Sequence, residues 1–202
     1  MTSTTARTST SETQSQPVRP PLWLRVPVAR GVAIQVGATA VGALLIAVAC
    51  AVPAAGPAGR ELSLGLGLLL IYLSTHALGH YLVGRAVGIR FRGFGMRGTD
   101  HPENYPPGLR QIMSFLPMWA VLTEPSSRRS AGRWQQAAMW AAGETSTTLC
   151  SIAAAATAAL AGAPWGQGLL VVSVIWNLGA SVVVTRIQKG DYAKALRALR
   201  AG

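Results

Sequence analysis

The sequence predicts an all-α integral membrane protein with about four transmembrane helices, a short re-entrant or interfacial segment and a small β-hairpin. Three observations carry this. Half of the 202 residues are hydrophobic and only 12% are charged, too apolar for an ordinary soluble domain. Apolar runs recur that reach or exceed the roughly 20 residues needed to cross a bilayer. The net charge of +11 comes from basic residues that flank those runs and do not alternate with aromatics. In a soluble protein such a charge would point to nucleic acid. Here it reads as a topology signal and a contact for anionic membrane lipid, so no nucleic-acid partner is expected.

In chain order, residues 1–30 form an amino-terminal tail. Residues 1–16 are Ser/Thr-rich with little apolar content, which predicts disorder. The first apolar run starts too late for a signal peptide. Residues 17–30 carry three arginines with Trp23 and Leu24, and suit a membrane-surface approach to the first span. The membrane domain, 31–187, then has spans at about 31–55, 62–87, 134–161 and 169–185. Pro53 to Glu61 is a short loop. Residues 88–96 alternate with period two and predict a strand or hairpin. Residues 109–122 are apolar but interrupted by Pro117; at 1.5 Å per residue they reach about 21 Å, short of a bilayer core. They therefore read as the re-entrant or interfacial segment. Residues 188–202 form a basic tail in which Tyr192, Ala195, Leu196 and Leu199 recur at helical spacing.

Basic residues also set the orientation. If 109–122 does not cross, Arg60 alone lies in the loops after the first and third spans. Positive residues mark the cytoplasm, so both termini are expected there, in a bacterial-type plasma membrane. Cys50 and Cys150 sit in apolar segments without CxxC spacing and predict no disulfide. The tryptophans lie mostly near span ends, as interface anchors do.

The second span holds the most informative residues. His76 and His80 are four apart, so on a helix they project from one face, one turn apart. This spacing offers two imidazoles to one metal ion. An ionisable residue inside a membrane is by default a functional candidate. The competing explanation is that both rings hydrogen-bond to neighbouring helices. Glu144, in the third span, lies eleven residues beyond Arg133, about 16 Å deep at the helical rise. His76 lies nine residues before Arg85, about 14 Å from the same surface. A lone membrane glutamate needs a partner. Two readings stand: Glu144 meets the histidines as ligand or base, or it is protonated and bonds Thr145, Ser146 or Thr147.

The run His76-Ala77-Leu78-Gly79-His80, with Gly84-Arg85 and Val87-Gly88-Ile89, resembles the site-2 protease family of intramembrane zinc metallopeptidases. The family carries His-Glu-x-x-His in a membrane helix, followed by a small residue, Arg and Gly-Ile. The resemblance covers roughly residues 62–199 and implies a three-helix core, zinc as cofactor and membrane-embedded peptides as substrates. It implies a third metal ligand near the end of the last core helix. The family's Asp-Gly pair stands reversed here as Gly190-Asp191, which makes Asp191 that ligand or merely a helix N-terminal acid. Its Ala-Gly-Pro stands as Ala142-Gly143-Glu144, and its Asn-x-x-Pro as Ser181-Val182-Val183-Val184. The family's general base, a glutamate, is Ala77, and a methyl group cannot move a proton. Glu144 is then the candidate catalytic residue.

Two functions follow from this resemblance: a membrane metallopeptidase with a displaced base, or an inactive pseudoprotease that binds or regulates membrane proteins. His101, with Asp100 and Glu103 on a cytoplasmic loop, offers a lid or reserve ligand. A haem takes axial ligands from opposite faces, so two histidines on one turn do not serve it. A transporter fits less well, because no repeat is evident.

Overall fold

A computed structural model describes residues 21–52, 56–98, 107–186 and 188–201. The expected disordered tail, 1–16, and the loop residues Asp100, His101 and Glu103 lie outside the described residues. Among the described residues, seven helices and three strands follow in the order β1 (Leu24–Val26), α1 (Val28–Ala51), α2 (Gly56–Ala86), β2 (Phe91–Arg97), α3 (Leu109–Phe115), β3 (Met118–Thr123), α4 (Pro125–Ser130), α5 (Arg133–Leu160), α6 (Gly166–Arg186) and α7 (Gly190–Arg200).

α1, α2 and α6 are each long and apolar enough to cross a membrane. Their large side chains point outward: Leu44, Leu62 and Ile175 are more than 60% exposed, which suits lipid and not water. α5 is longer than α1 and α6, but Gln135, Gln136, Glu144 and the hydroxyls at 145–148 make it less apolar. Helix boundaries differ from expectation by a few residues. The largest shift is at α2, which begins at Gly56 and takes in two thirds of the loop expected at Pro53–Glu61.

α2 is the central helix, packed between α1 and α5. Small residues permit the approach: a Cβ on Gly42 of α1 would fall 2.8 Å from the Gly67 carbonyl of α2. Thr39 and Ser74 hydrogen-bond across the same interface at 2.8 Å. Arg60 donates to the Ala49 carbonyl at 2.6 Å, satisfying a group at the carboxyl end of α1. α6 packs on α5 and α7. A cleft separates α6 from α2, in two contiguous parts of about 500 and 300 Å³ that share Gly65 and Val172. Its deeper part reaches Tyr72, one turn before His76, and is floored by Ser151.

Two expectations are corrected in the segment after α2. The strand predicted at 88–96 is not one arm of a local hairpin; it is the centre of an antiparallel sheet ordered β1-β2-β3. The apolar stretch at 109–122 is not one re-entrant segment. Pro117 divides it into α3 and β3, and β3 pairs along β2 from Phe91↔Thr123 to Arg97↔Met118. Period two within 118–123 turns Trp119 and Val121 toward the same buried cluster as Ala77, Val26 and Phe94. Ladder pairing thus satisfies backbone that a lone apolar segment would leave open.

Phe94 is fully buried and sits over Gly31 of α1, joining sheet to bundle. Phe94→Ala is expected to cost about 3–5 kcal/mol. A thermal melt in detergent, followed by circular dichroism, would show this as a clear drop in midpoint.

Candidate metal centre

Two helices deliver three side chains to one point. α2 presents His76 and His80 from one face. α7 presents Asp191 from its first turn. The turn between α6 and α7 reverses the chain: Lys189 N–H donates to the Val184 carbonyl and Gln188 N–H to the Thr185 carbonyl. This is the Schellman pattern, and Gln188 takes the left-handed conformation, φ 59°, usually left to glycine. Arg197 donates to the Gln188 carbonyl at 2.7 Å and ties α7 back to the turn.

His76 Nε2 and His80 Nε2 each lie 3.0 Å from Asp191 Oδ2. The three ligand atoms fall within 4.8 Å of one another, a group able to hold a metal ion. The side chains of His80 and Asp191 are 5% and 8% exposed, whereas that of His76 is 29% exposed, so the centre opens on the His76 side.

The other ring nitrogens fix the tautomers. His80 Nδ1 lies 2.7 Å from the Met139 carbonyl, which can only accept. His76 Nδ1 lies 3.2 Å from Thr147 Oγ1, whose own proton goes to the Gly143 carbonyl at 3.0 Å. Both Nδ1 atoms therefore carry the proton. In the neutral rings both Nε2 lone pairs then point at a carboxylate oxygen. Three acceptors facing one another are unfavourable unless a cation or added protons lie between them. Histidines that bind metals are oriented in this way by an outer partner on the second nitrogen. Zinc at about 2.0–2.1 Å from each donor would set tetrahedral donors about 3.3 Å apart, a few tenths of an ångström beyond the two nitrogen–oxygen distances. The donor set fits such an ion with a small adjustment.

Close helix packing makes the point of convergence. A Cβ on Gly143 of α5 would overlap the His80 ring, and one on Gly79 of α2 would strike Ser146 and the Ala142 carbonyl. Only glycine at both positions lets α5 lie against the histidine face.

Asp191 is held by more than the imidazoles. Burial opposes its ionisation; with no metal bound and a second proton on each ring, hydrogen bonds from His76 and His80, and the charges of His80 and Lys194, keep its carboxyl well below the usual carboxylate range. Lys194, three residues on, reaches Oδ1 at 2.8 Å. Its Nζ also lies 4.6 Å from the centre of the Trp140 ring, and that ring packs edge-on against His80 at 5.8 Å.

The structure thus brings His76, His80 and Asp191 together. Glu144 is not in that group of ligand atoms. Its Oε2 accepts the Tyr192 N–H at 3.4 Å, and Thr145 bonds Tyr192 Oη at 2.8 Å. Glu144 therefore supplies an acidic acceptor to the first turn of α7, where free N–H groups gather. Ala77 is fully buried with Val26 and Phe94. Sequence reasoning missed the Met139 carbonyl, the acceptor role of Thr147 and the pairing of Lys194. Only the last left a sequence signal, the i,i+3 spacing from Asp191. Of the face expected for α7, Ala195 is buried and Tyr192 and Leu199 are half-buried, while Leu196 is exposed; Asp191 and Ala193 are buried beside it.

No protein-family model matches the chain, and no curated protein or solved structure is significantly similar to it.

Thr147→Val removes the acceptor that fixes His76. Divalent-metal affinity is expected to fall about 10–100-fold, measured by competition with a chromophoric chelator.

Proposed function

We propose that this chain is an integral membrane metalloprotein of site-2-protease type. It holds one zinc ion at His76, His80 and Asp191 and engages membrane-embedded peptides without cleaving them. The observation that supports it most directly is the convergence of two proton-free imidazole nitrogens on one buried carboxylate oxygen, within a bundle whose outer surface is apolar. Zinc suits mixed nitrogen and oxygen donors, and three protein ligands leave a position for a further one.

α5 serves as the fourth span. Its 28 residues reach about 42 Å, and it packs between α2 and α6. Both termini are cytoplasmic, by the distribution of basic residues, in a bacterial-type plasma membrane. The cleft between α2 and α6 suits a membrane-embedded segment, because it is lined mainly by apolar side chains and its lining includes Tyr72, one turn before His76.

Zinc, when bound, supplies an acidified water and a Lewis acid. Peptide hydrolysis also needs a group that takes the water's proton and returns it to the leaving nitrogen. Position 77 offers a methyl, enclosed by Phe94 and Val26. Glu144 contributes by holding α7, and hence Asp191, through the Tyr192 N–H. A second reading, cleavage with Glu144 as displaced base, is favoured by its place directly after Gly143, against which the His80 ring lies.

Metal analysis of the purified full-length protein is expected to give one zinc per chain, lost in His76→Ala. Equal metal content in both would sink the metal reading. A labelled transmembrane peptide is expected to stay intact with the wild type and with Ala77→Glu. The latter should also melt lower, because it places a carboxylate among buried apolar side chains. Cleavage by the wild type that disappears in Glu144→Gln would establish the second reading instead.

A further inference from the structure

The two oxygens of Asp191 have different surroundings. Oδ2 faces both imidazoles at 3.0 Å, and Oδ1 accepts from Lys194 Nζ at 2.8 Å. The lysine is not a loosely held surface partner. Its Nζ stands 4.6 Å from the centre of the Trp140 ring, where a cation is attracted by the ring's negative face. Trp140 is set in turn by its edge-on contact with His80. A closed circuit therefore runs from His80 to Trp140, to Lys194, to Asp191 and back to His80. Three of its members belong to different helices: α2, α5 and α7.

A carboxylate near a cation binds it through one oxygen or through both. An ammonium group within hydrogen-bond distance of Oδ1 competes for the lone pairs that a second bond to the metal would use. Its positive charge also repels a metal ion from that side. We infer that Lys194 is a positioning residue: held on Trp140, it occupies Oδ1, restricts Asp191 to one metal bond through Oδ2, and so keeps a coordination position open on the His76 side. The inference rests on the metal-binding reading above. It extends that reading by assigning the openness of the centre to a residue that touches neither the metal nor the histidines.

Cobalt(II) is the probe, since its visible absorption is intense with four donors and weak with five or six. Full-length wild type, Lys194→Arg and Lys194→Met are saturated with cobalt in detergent, and bound metal is counted. The wild type is expected to show the intense bands. Lys194→Arg, which keeps a cation for both Trp140 and Oδ1, should retain them. Lys194→Met should bind one cobalt per chain and lose the intense bands, as Asp191 closes on the ion with both oxygens. Identical spectra for all three, at equal stoichiometry, would overturn the role of Lys194 while leaving the metal centre standing. A wild type that binds no cobalt, and matches His76→Ala, would overturn both. If Lys194→Met loses helix content, Lys194→Gln takes its place, with the same expectation of lost intensity.

Discussion

The structure depends on an electrostatic conflict between lone pairs. His76 and His80 each commit the Nδ1 proton to an acceptor, Thr147 or the Met139 carbonyl. Both Nε2 atoms are left facing a carboxylate buried almost completely by the surrounding helices. Such a cluster is costly in an apolar surrounding unless positive charge resolves it. The lysine on Oδ1 supplies one charge from the outside. The centre itself has the donor chemistry to hold another. Most local features of the bundle then have a clear purpose, since each holds one of these groups in place.

The helices are close where the centre requires it. Gly79 and Gly143 bring α2 and α5 together so that the His80 ring fits beside a residue without a side chain. The Schellman turn at Gln188 folds α7 back, and the Glu144 carboxylate and Thr145 hydroxyl of α5 receive the backbone and phenol of Tyr192. Asp191 is thereby fixed by contacts on both sides of it. The sheet acts on the face of α2 that carries Ala77, beside the histidines. Phe94, Val26 and their neighbours enclose Ala77, so the position where the resembling family keeps its acid is filled by apolar packing. That packing explains why a methyl is well accommodated there, and why a carboxylate would be poorly accommodated.

Much of the site was legible in the sequence, but unevenly. The four-residue spacing of His76 and His80 fixes their common face on any helix, because the helical repeat is local. Asp191 was reached through resemblance, with a helix-terminal role as the rival; the structure shows that it stands in the first turn of α7 and also meets the histidines. Glu144 was matched in depth to His76, and depth along two helices says nothing of their relative rotation. Its carboxylate meets α7 and lies outside the group formed by the histidines and Asp191. The acceptors on Nδ1 carried no signal, since a backbone carbonyl has no residue identity and Thr147 stood out only as one of three hydroxyls within reach of Glu144.

The sequence by itself determined the apolar helices, their approximate ends, the face shared by the two histidines and the basic flanks, because each depends on periodicity or composition over neighbouring residues. Tertiary structure alone decided that β3 pairs with β2 across the Pro117 break, that β1 completes the sheet, and that α7 buries Asp191 while Leu196 stays exposed. These outcomes rest on partners far apart in the chain. A strand chooses its neighbour by a ladder that forms only when both are present. A short amphipathic helix takes the rotation that gives its one buried charge a partner, and that partner lies 111 residues away on α2.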